Sequence, residues 1–441
     1  MQYVLKNKDK VVLEFEVETI RHIERGVEIS KDMIKNIQLF NISLAPINLD
    51  INNPSESLES FIKHRKAPSH RQYVQKIIAS YSRGEERLMD YIDVSFGLSL
   101  NDSYWIIPSD KDYKWRDFNL YQHAFNEALE LIAFGIGISK ISGITLSPEY
   151  TTNGMLKKCW HKENNKIFLY KGGSPESDDG EEYGGKEAYS EYYMTQIAEI
   201  MEFEHINYDL KMFHNQLVST CPIFTNENEG YIPIFYLLEK KDRKLKGVDL
   251  VDKLEVIYDK DKLEDLFLFD ALICNIDRHL GNFGMIVDNN TRKILRPAPI
   301  FDNGCSILNL LYKSDLQDIA SVLLSQKSYL EFSFNRQLKT FAQQRHIPNL
   351  EKLSNFTFQR HKEFNLSEEW LKPIESNIQQ RAKMALRFIE EKYINVTDEV
   401  DISQIKDEIQ ITIVRDSTTD SKNNSSNNTQ QEPSLHTRKR R

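Results

Sequence analysis

The sequence has 441 residues, 40% hydrophobic and 28% charged, with a net charge of -9 at neutral pH. That length allows two or three domains with cores of their own, and 20 Tyr with 23 Phe exclude a wholly disordered chain. The acidic balance argues against a general nucleic-acid binder, whose surface must neutralise phosphates.

Met1 to Lys6 is too charged and interrupted for a signal peptide. No stretch approaches the roughly 20 apolar residues that cross a bilayer. Cys159, Cys221, Cys274 and Cys305 lie far apart without a C-x-x-C pair, which favours reduced thiols. The chain is expected to be soluble and cytoplasmic, with no membrane partner.

Along the chain, residues 1–18 alternate around Asn7-Lys8-Asp9-Lys10 and read as a hairpin. Residues 55–95 are helical in period, with Tyr73, Ile77 and Ile78 on one face. Ser103 to Pro108 reads as a short strand. A helix carrying Tyr121, Phe125, Leu129 and Ile132 is expected to end near Gly135. Residues 1–140 are assigned to an N-terminal accessory region that shows no chemistry of its own.

Residues 141–240 read as short strands and turns with one helix over 187–203. The turn around Thr152-Asn153-Gly154 can offer backbone N–H groups to phosphates. It is neither a Walker motif nor a G-x-G-x-x-G loop. For Lys157 and Lys158, surface charge and phosphate contact both stay open. Ile167 to Lys171 is a strand by composition, with Lys171 on the face of Ile167 and Leu169. On the helix that follows, Glu191 is either a partner that orients Lys171 or part of a solvated face. Glu176 to Glu182, flanked by glycines, reads as a solvated acidic loop. Residues 231–239 read as a strand entering a hinge, with backbone groups near Leu238 and Glu239 facing an adenine edge.

Residues 241–395 are mainly helical, and 396–441 are mostly disordered by composition. The apolar run Leu266 to Cys274 should end a helix near Asn275, leaving Asp277 on a loop fixed by that helix. Asp277 and Asn282, five residues apart, match the division of labour in phosphoryl transfer. The Asp accepts or orients the proton of the attacking hydroxyl, and the Asn oxygen binds Mg²⁺, which demands hard oxygen ligands. Asp302 follows in Ile300-Phe301-Asp302-Asn303-Gly304, where a short buried strand and a tight turn are expected, and is a second candidate metal ligand. A small β-rich lobe before a larger helical lobe predicts an α+β, bilobal, protein-kinase-like fold with the accessory region in front.

Asp277-x-His279-x-x-Asn282 followed by Phe301-Asp302-Asn303-Gly304 resembles the motifs of HipA-like serine/threonine kinases, over roughly residues 140–392. The resemblance implies Asp277 as catalytic base, Asn282 and Asp302 as Mg²⁺ ligands, and His279 as a loop support. It implies ATP and Mg²⁺ as cofactors and a Ser or Thr hydroxyl of a protein as acceptor. Ser and Thr in the 147–152 turn are then candidate autophosphorylation sites. It also raises a toxin–antitoxin arrangement, in which a small DNA-binding partner restrains the kinase; the residues themselves carry no sign of one. Asp277-Arg278-His279 is similar to the catalytic loop of phosphoinositide kinases too. A lipid or small-molecule kinase, or a nucleotide-sensing pseudokinase, is therefore the alternative.

Overall fold

The computed structural model describes residues 1–24, 27–81, 87–137, 143–174 and 185–419. The chain divides into two compact units, Met1–Leu386 and Arg387–Arg441. The expected acidic loop at 176–182, and residues 420–441 of the expected tail, lie outside the described residues.

The N-terminal hairpin forms as its alternation predicts. Strands β1 (Gln2–Asn7) and β2 (Lys10–Glu24) are joined by Lys8-Asp9, with Lys8 in the left-handed region at φ +50°. Strand β3 (Val27–Leu39) extends the hairpin on one side. Helices α1 (Pro54–Arg65), α2 (Val74–Tyr81) and α3 (Asp90–Ser95) follow, and β4 (Tyr104–Pro108) returns to the free side of β1. The sheet is antiparallel in the order β3-β2-β1-β4. Tyr73 precedes α2 in a left-handed conformation, so the helical face expected there holds Ile77 and half-buried Ile78 without it. Helix α4 (Glu127–Ala133) is also shorter than its periodicity suggests. The Asn126 side chain accepts from the Leu129 N–H and starts the helix there, leaving Tyr121 in a turn and Phe125 in irregular chain before it.

A second antiparallel sheet has the order β5-β6-β8-β7, from β5 (Lys158–Glu163), β6 (Lys166–Gly172), β7 (Asp209–Phe213) and β8 (Gln216–Pro222). Helix α5 (Glu187–Ile200) packs against it. Tyr150, Cys159, Tyr170 and Val218 lie in the same hydrophobic core as Tyr3, Phe15, Phe61 and Leu129. The accessory residues therefore share a core with this sheet.

Strand β9 (Glu229–Pro233) is shorter than the strand expected over 231–239. After Pro233 the chain turns into a 3₁₀ segment, Ile234–Tyr236, with Ile234 fully buried. A continuous apolar run does not by itself separate a strand from a buried turn. Helices α6 (Gly247–Glu255) and α7 (Lys260–Ile273) lead to β10 (Gly284–Asp288) and β11 (Ile294–Pro297), which form the sheet β11-β10-β9. The strand expected at Ile300-Phe301 is reduced to one parallel bridge between His205 and Ile300. Helices α8 (Ile307–Leu310), α9 (Ile319–Ser325), α10 (Phe334–Phe341), α11 (Ile347–Leu353) and α12 (Glu368–Thr419) complete the described chain. Helix α12 continues past residue 395, into the region that composition assigns to the tail. Among the described residues no helix is long and apolar enough to cross a membrane.

Candidate functional site

The site is built where β6, α5 and the loops after α7 and β11 meet. Lys171, near the end of β6, points inward with 6% of its surface exposed. Its Nζ lies 2.5 Å from Oε1 of Glu191 on α5 and also bonds Oδ1 of Asp302. Glu191 is fully buried, not solvated; its Oε2 accepts from the Asn303 N–H at 2.7 Å. Burial disfavours the Lys171 ammonium, but Asp302 and then Glu191 outweigh it and hold its pKa above the ordinary lysine value. Burial alone would raise the Asp302 carboxyl as well. Lys171, with Lys158 and Arg278 behind it, reverses that and keeps Asp302 ionised well below the usual carboxylate range.

A second lysine belongs to this centre. In the antiparallel register Lys158 stands directly opposite Lys171, so both side chains leave the same face of the sheet. Burial and then the Lys171 charge push the Lys158 ammonium down to about 8. A Cβ at Gly154, whose φ is +100°, would collide with Lys158 Nζ, so the glycine of the turn sits directly over that ammonium. Elsewhere in the turn, groups expected to face phosphate are bonded within the protein. The Gly154 N–H is bonded to Oδ1 of exposed Asn153 at 2.8 Å, and the Thr152 hydroxyl donates to the Pro148 carbonyl at 2.8 Å. Thr151 is likewise engaged, donating to Leu98 O at 2.7 Å.

The Asp277 loop begins where expected. Helix α7 stops at Cys274, which adopts the left-handed conformation at φ +55°. Asn275 caps the turn, donating to Asp270 Oδ1 at 3.1 Å and accepting the Asp277 N–H at 3.0 Å. The Asp277 side chain is exposed. Desolvation by the protein packed around it, with Asp302 adding to the effect and His279 opposing it, raises its carboxyl above the ordinary aspartate value. His279 supports the loop: its Nδ1 accepts from the Gly281 N–H at 2.9 Å and its carbonyl accepts from the Asn282 N–H at 2.9 Å. The Asn282 amide donates from Nδ2 to the Asp277 carbonyl at 2.9 Å, which leaves Oδ1 as the remaining acceptor.

Arg278 ties this loop to Asp302 and was not identifiable from spacing. It is 2% exposed and donates to both carboxylate oxygens of Asp270, to Asn303 Oδ1 at 2.8 Å, to Asn282 O at 3.2 Å and to Phe301 O. The basic residue beside Asp277 was the available sequence signal, but its partners lie up to 25 residues away. Leu238 and Glu239 are not held in a strand. The Leu238 N–H is bonded to Ile234 O and its carbonyl accepts from Arg243 Nε at 3.2 Å, while the Glu239 carbonyl accepts from the Asp242 N–H. Among the described residues no three His, Cys, Asp or Glu gather as a metal cluster.

No family model matches the chain. It is 26% identical over 153 residues to serine/threonine-protein kinase CtkA of Helicobacter pylori, covering 32% of this chain and 47% of that protein. The chain thus spans about half the length of the curated relative it matches. In sequence, then, the chain is similar to a serine/threonine-protein kinase over that stretch. Solved structures similar to it include a Helicobacter pylori proinflammatory kinase CtkA, at TM-score 0.43 and 19% identity over 53% of this chain and 95% of that one. Another is a Shewanella oneidensis HipA complex with HipB and operator DNA, at TM-score 0.49 and 12% identity over 88% and 98%. The residues on which the HipA-like resemblance rests, Asp277, His279, Asn282 and Asp302, lie with Lys171 and Glu191 around one charged centre.

Proposed function

We propose that the chain is an ATP- and Mg²⁺-dependent kinase that transfers the γ-phosphate to a Ser or Thr hydroxyl of a protein. The observation that carries this reading is the meeting of Lys171, Glu191 and Asp302 beside the Asp277 loop, from segments 131 residues apart in sequence at the widest. The lysine–glutamate pair, the loop aspartate with its asparagine, and a second aspartate are the parts that phosphoryl transfer uses. In this reading the β5–β8 sheet with α5 is the small lobe, and α6 to α12 with their intervening strands make the larger helical lobe.

The donor set fits magnesium. Asn282 and Asp302 would hold the ion through oxygen, and one or two such ligands with phosphate oxygens and water are its usual complement. Bound there, the ion would neutralise charge developing on the phosphates. Lys171 is held charged to pair with phosphate, Glu191 fixes its direction, and Lys158 adds positive charge on the same face. Asp277 orients the acceptor hydroxyl and takes its proton. Positioning and charge neutralisation, rather than covalent chemistry, supply the acceleration.

The test is transfer of radiolabelled γ-phosphate by the full chain to itself and to mixed protein or lipid acceptors, followed by identification of the labelled residue. Label on Ser or Thr, lost in Asp277→Asn, supports the proposal. Label confined to lipid moves the acceptor class, and no label with intact nucleotide binding favours a pseudokinase.

A further inference from the structure

Arg71 lies between α1 and α2, in the accessory region, outside every motif of the proposed reaction. Its side chain and that of Glu149 are both fully buried, and they pair at 2.7 Å. The same guanidinium reaches both arms of the turn. It donates to the carbonyls of Glu149 and Thr152, each at 3.3 Å, on the entering arm, and to the carbonyl of Lys158 on the leaving arm. The other Glu149 oxygen accepts from the Trp160 N–H at 2.8 Å, which pins the start of β5 to the same pair. Neighbouring residues add to the clamp. The Ala67 N–H donates to Tyr150 O at 2.7 Å and the Gln72 N–H to Met155 O at 2.8 Å. The Gln72 side chain accepts from the Lys157 N–H at 3.2 Å.

We propose that Arg71 is a positioning residue for nucleotide binding, setting the 149–158 turn and through it the Lys158 ammonium; this rests on the kinase reading. Arg71 bridges both arms of the turn, and the carbonyl it holds on the leaving arm belongs to the residue whose ammonium lies under Gly154 and faces the Asp302 charge. The role needs a planar fork with several donors, which a lysine does not reproduce. Small displacements of phosphate-binding groups translate into large losses of affinity and rate.

The experiment measures the Kd of Mg-ATP for the full chain as wild type, Arg71→Lys, Gln72→Ala and Arg65→Lys, each shown to be folded by its unfolding transition. Arg65 is the control, a second buried arginine of the accessory region that bonds Asp102, Gly97 O and Tyr104 O and does not touch the turn. Arg71→Lys is expected to raise Kd about tenfold, Gln72→Ala less, and Arg65→Lys not at all, whatever each does to the unfolding midpoint. Should Arg71→Lys fail to fold, Gln72→Ala carries the test. Unchanged Kd in the turn variants, or an equal rise in Arg65→Lys, overturns the inference while leaving the kinase reading intact. Absence of Mg-ATP binding by the wild type removes that reading, and this inference with it.

Discussion

Two lysines opposite each other on neighbouring strands repel, and a fold tolerates that pair where an anion offsets it. Asp302 offsets Lys171 directly, while Lys158 is left with an ammonium pushed down to about 8. A phosphate beside Lys158 would favour its charged form. Raising the pH through about 8 removes that charge, so affinity for Mg-ATP is expected to fall across that range. Lys158→Arg, whose charge does not titrate there, should flatten the profile; a nucleotide titration against pH checks both. Asp277 titrates in the opposite sense for catalysis. Its carboxyl is raised by desolvation and Asp302, so activity should fail on acidification at a pH above the ordinary aspartate value. The acid limb of kcat/KM measures this, and Asp277→Asn should lower kcat by about 10²- to 10⁴-fold. Asp277, Asn282 and Asp302 were legible in the sequence because each stands in a short linear motif. Lys158 was not settled, because its importance depends on the strand register that places it across from Lys171.

At the level of elements, the end of α7 and the loops after it act as one piece because Arg278 joins them. Replacing it with Met would leave Asp270 buried and unpaired, which should cost about 3–5 kcal/mol of stability, read as a lower denaturant midpoint. The turn before β5 is equally constrained. Gly154→Ala meets both a positive φ and the Lys158 side chain, so it should weaken nucleotide binding more than it lowers stability. The ends of elements were harder to read than their presence. The 167–171 strand, the start of the helix at Glu187 and the end of α7 followed from apolar periodicity and composition, while that helix stops at Ile200 instead of running to 203. The strand over 231–239 did not survive Pro233, and the helix before Gly135 waited for the Asn126 cap. In both cases a local hydrogen bond or turn decided against a longer apolar pattern. Arg71 and Glu149 were invisible for a different reason: their pairing spans 78 residues and no spacing rule connects them.

Over the whole molecule, the accessory residues do more than precede the proposed catalytic part. One hydrophobic core runs from Tyr3 to Val218. Asn7 donates to the Asn289 carbonyl at 2.9 Å and Lys8 reaches Asn228 and Asn290, which joins the first hairpin to the turns just before β9 and just after β10. Deleting residues 1–140 should therefore give an aggregating product, since Tyr150, Cys159, Tyr170 and Val218 would lose their packing partners. Solubility and the unfolding transition of that truncation, compared with the full chain, check this. For the charged centre itself, the deciding experiment is a titration of Mg-ATP into wild type, Asp302→Ala and Asp277→Asn. Saturable, magnesium-dependent binding that is lost in Asp302→Ala and kept in Asp277→Asn is the result predicted. Binding that survives Asp302→Ala unchanged, or is absent from the wild type, would contradict the account.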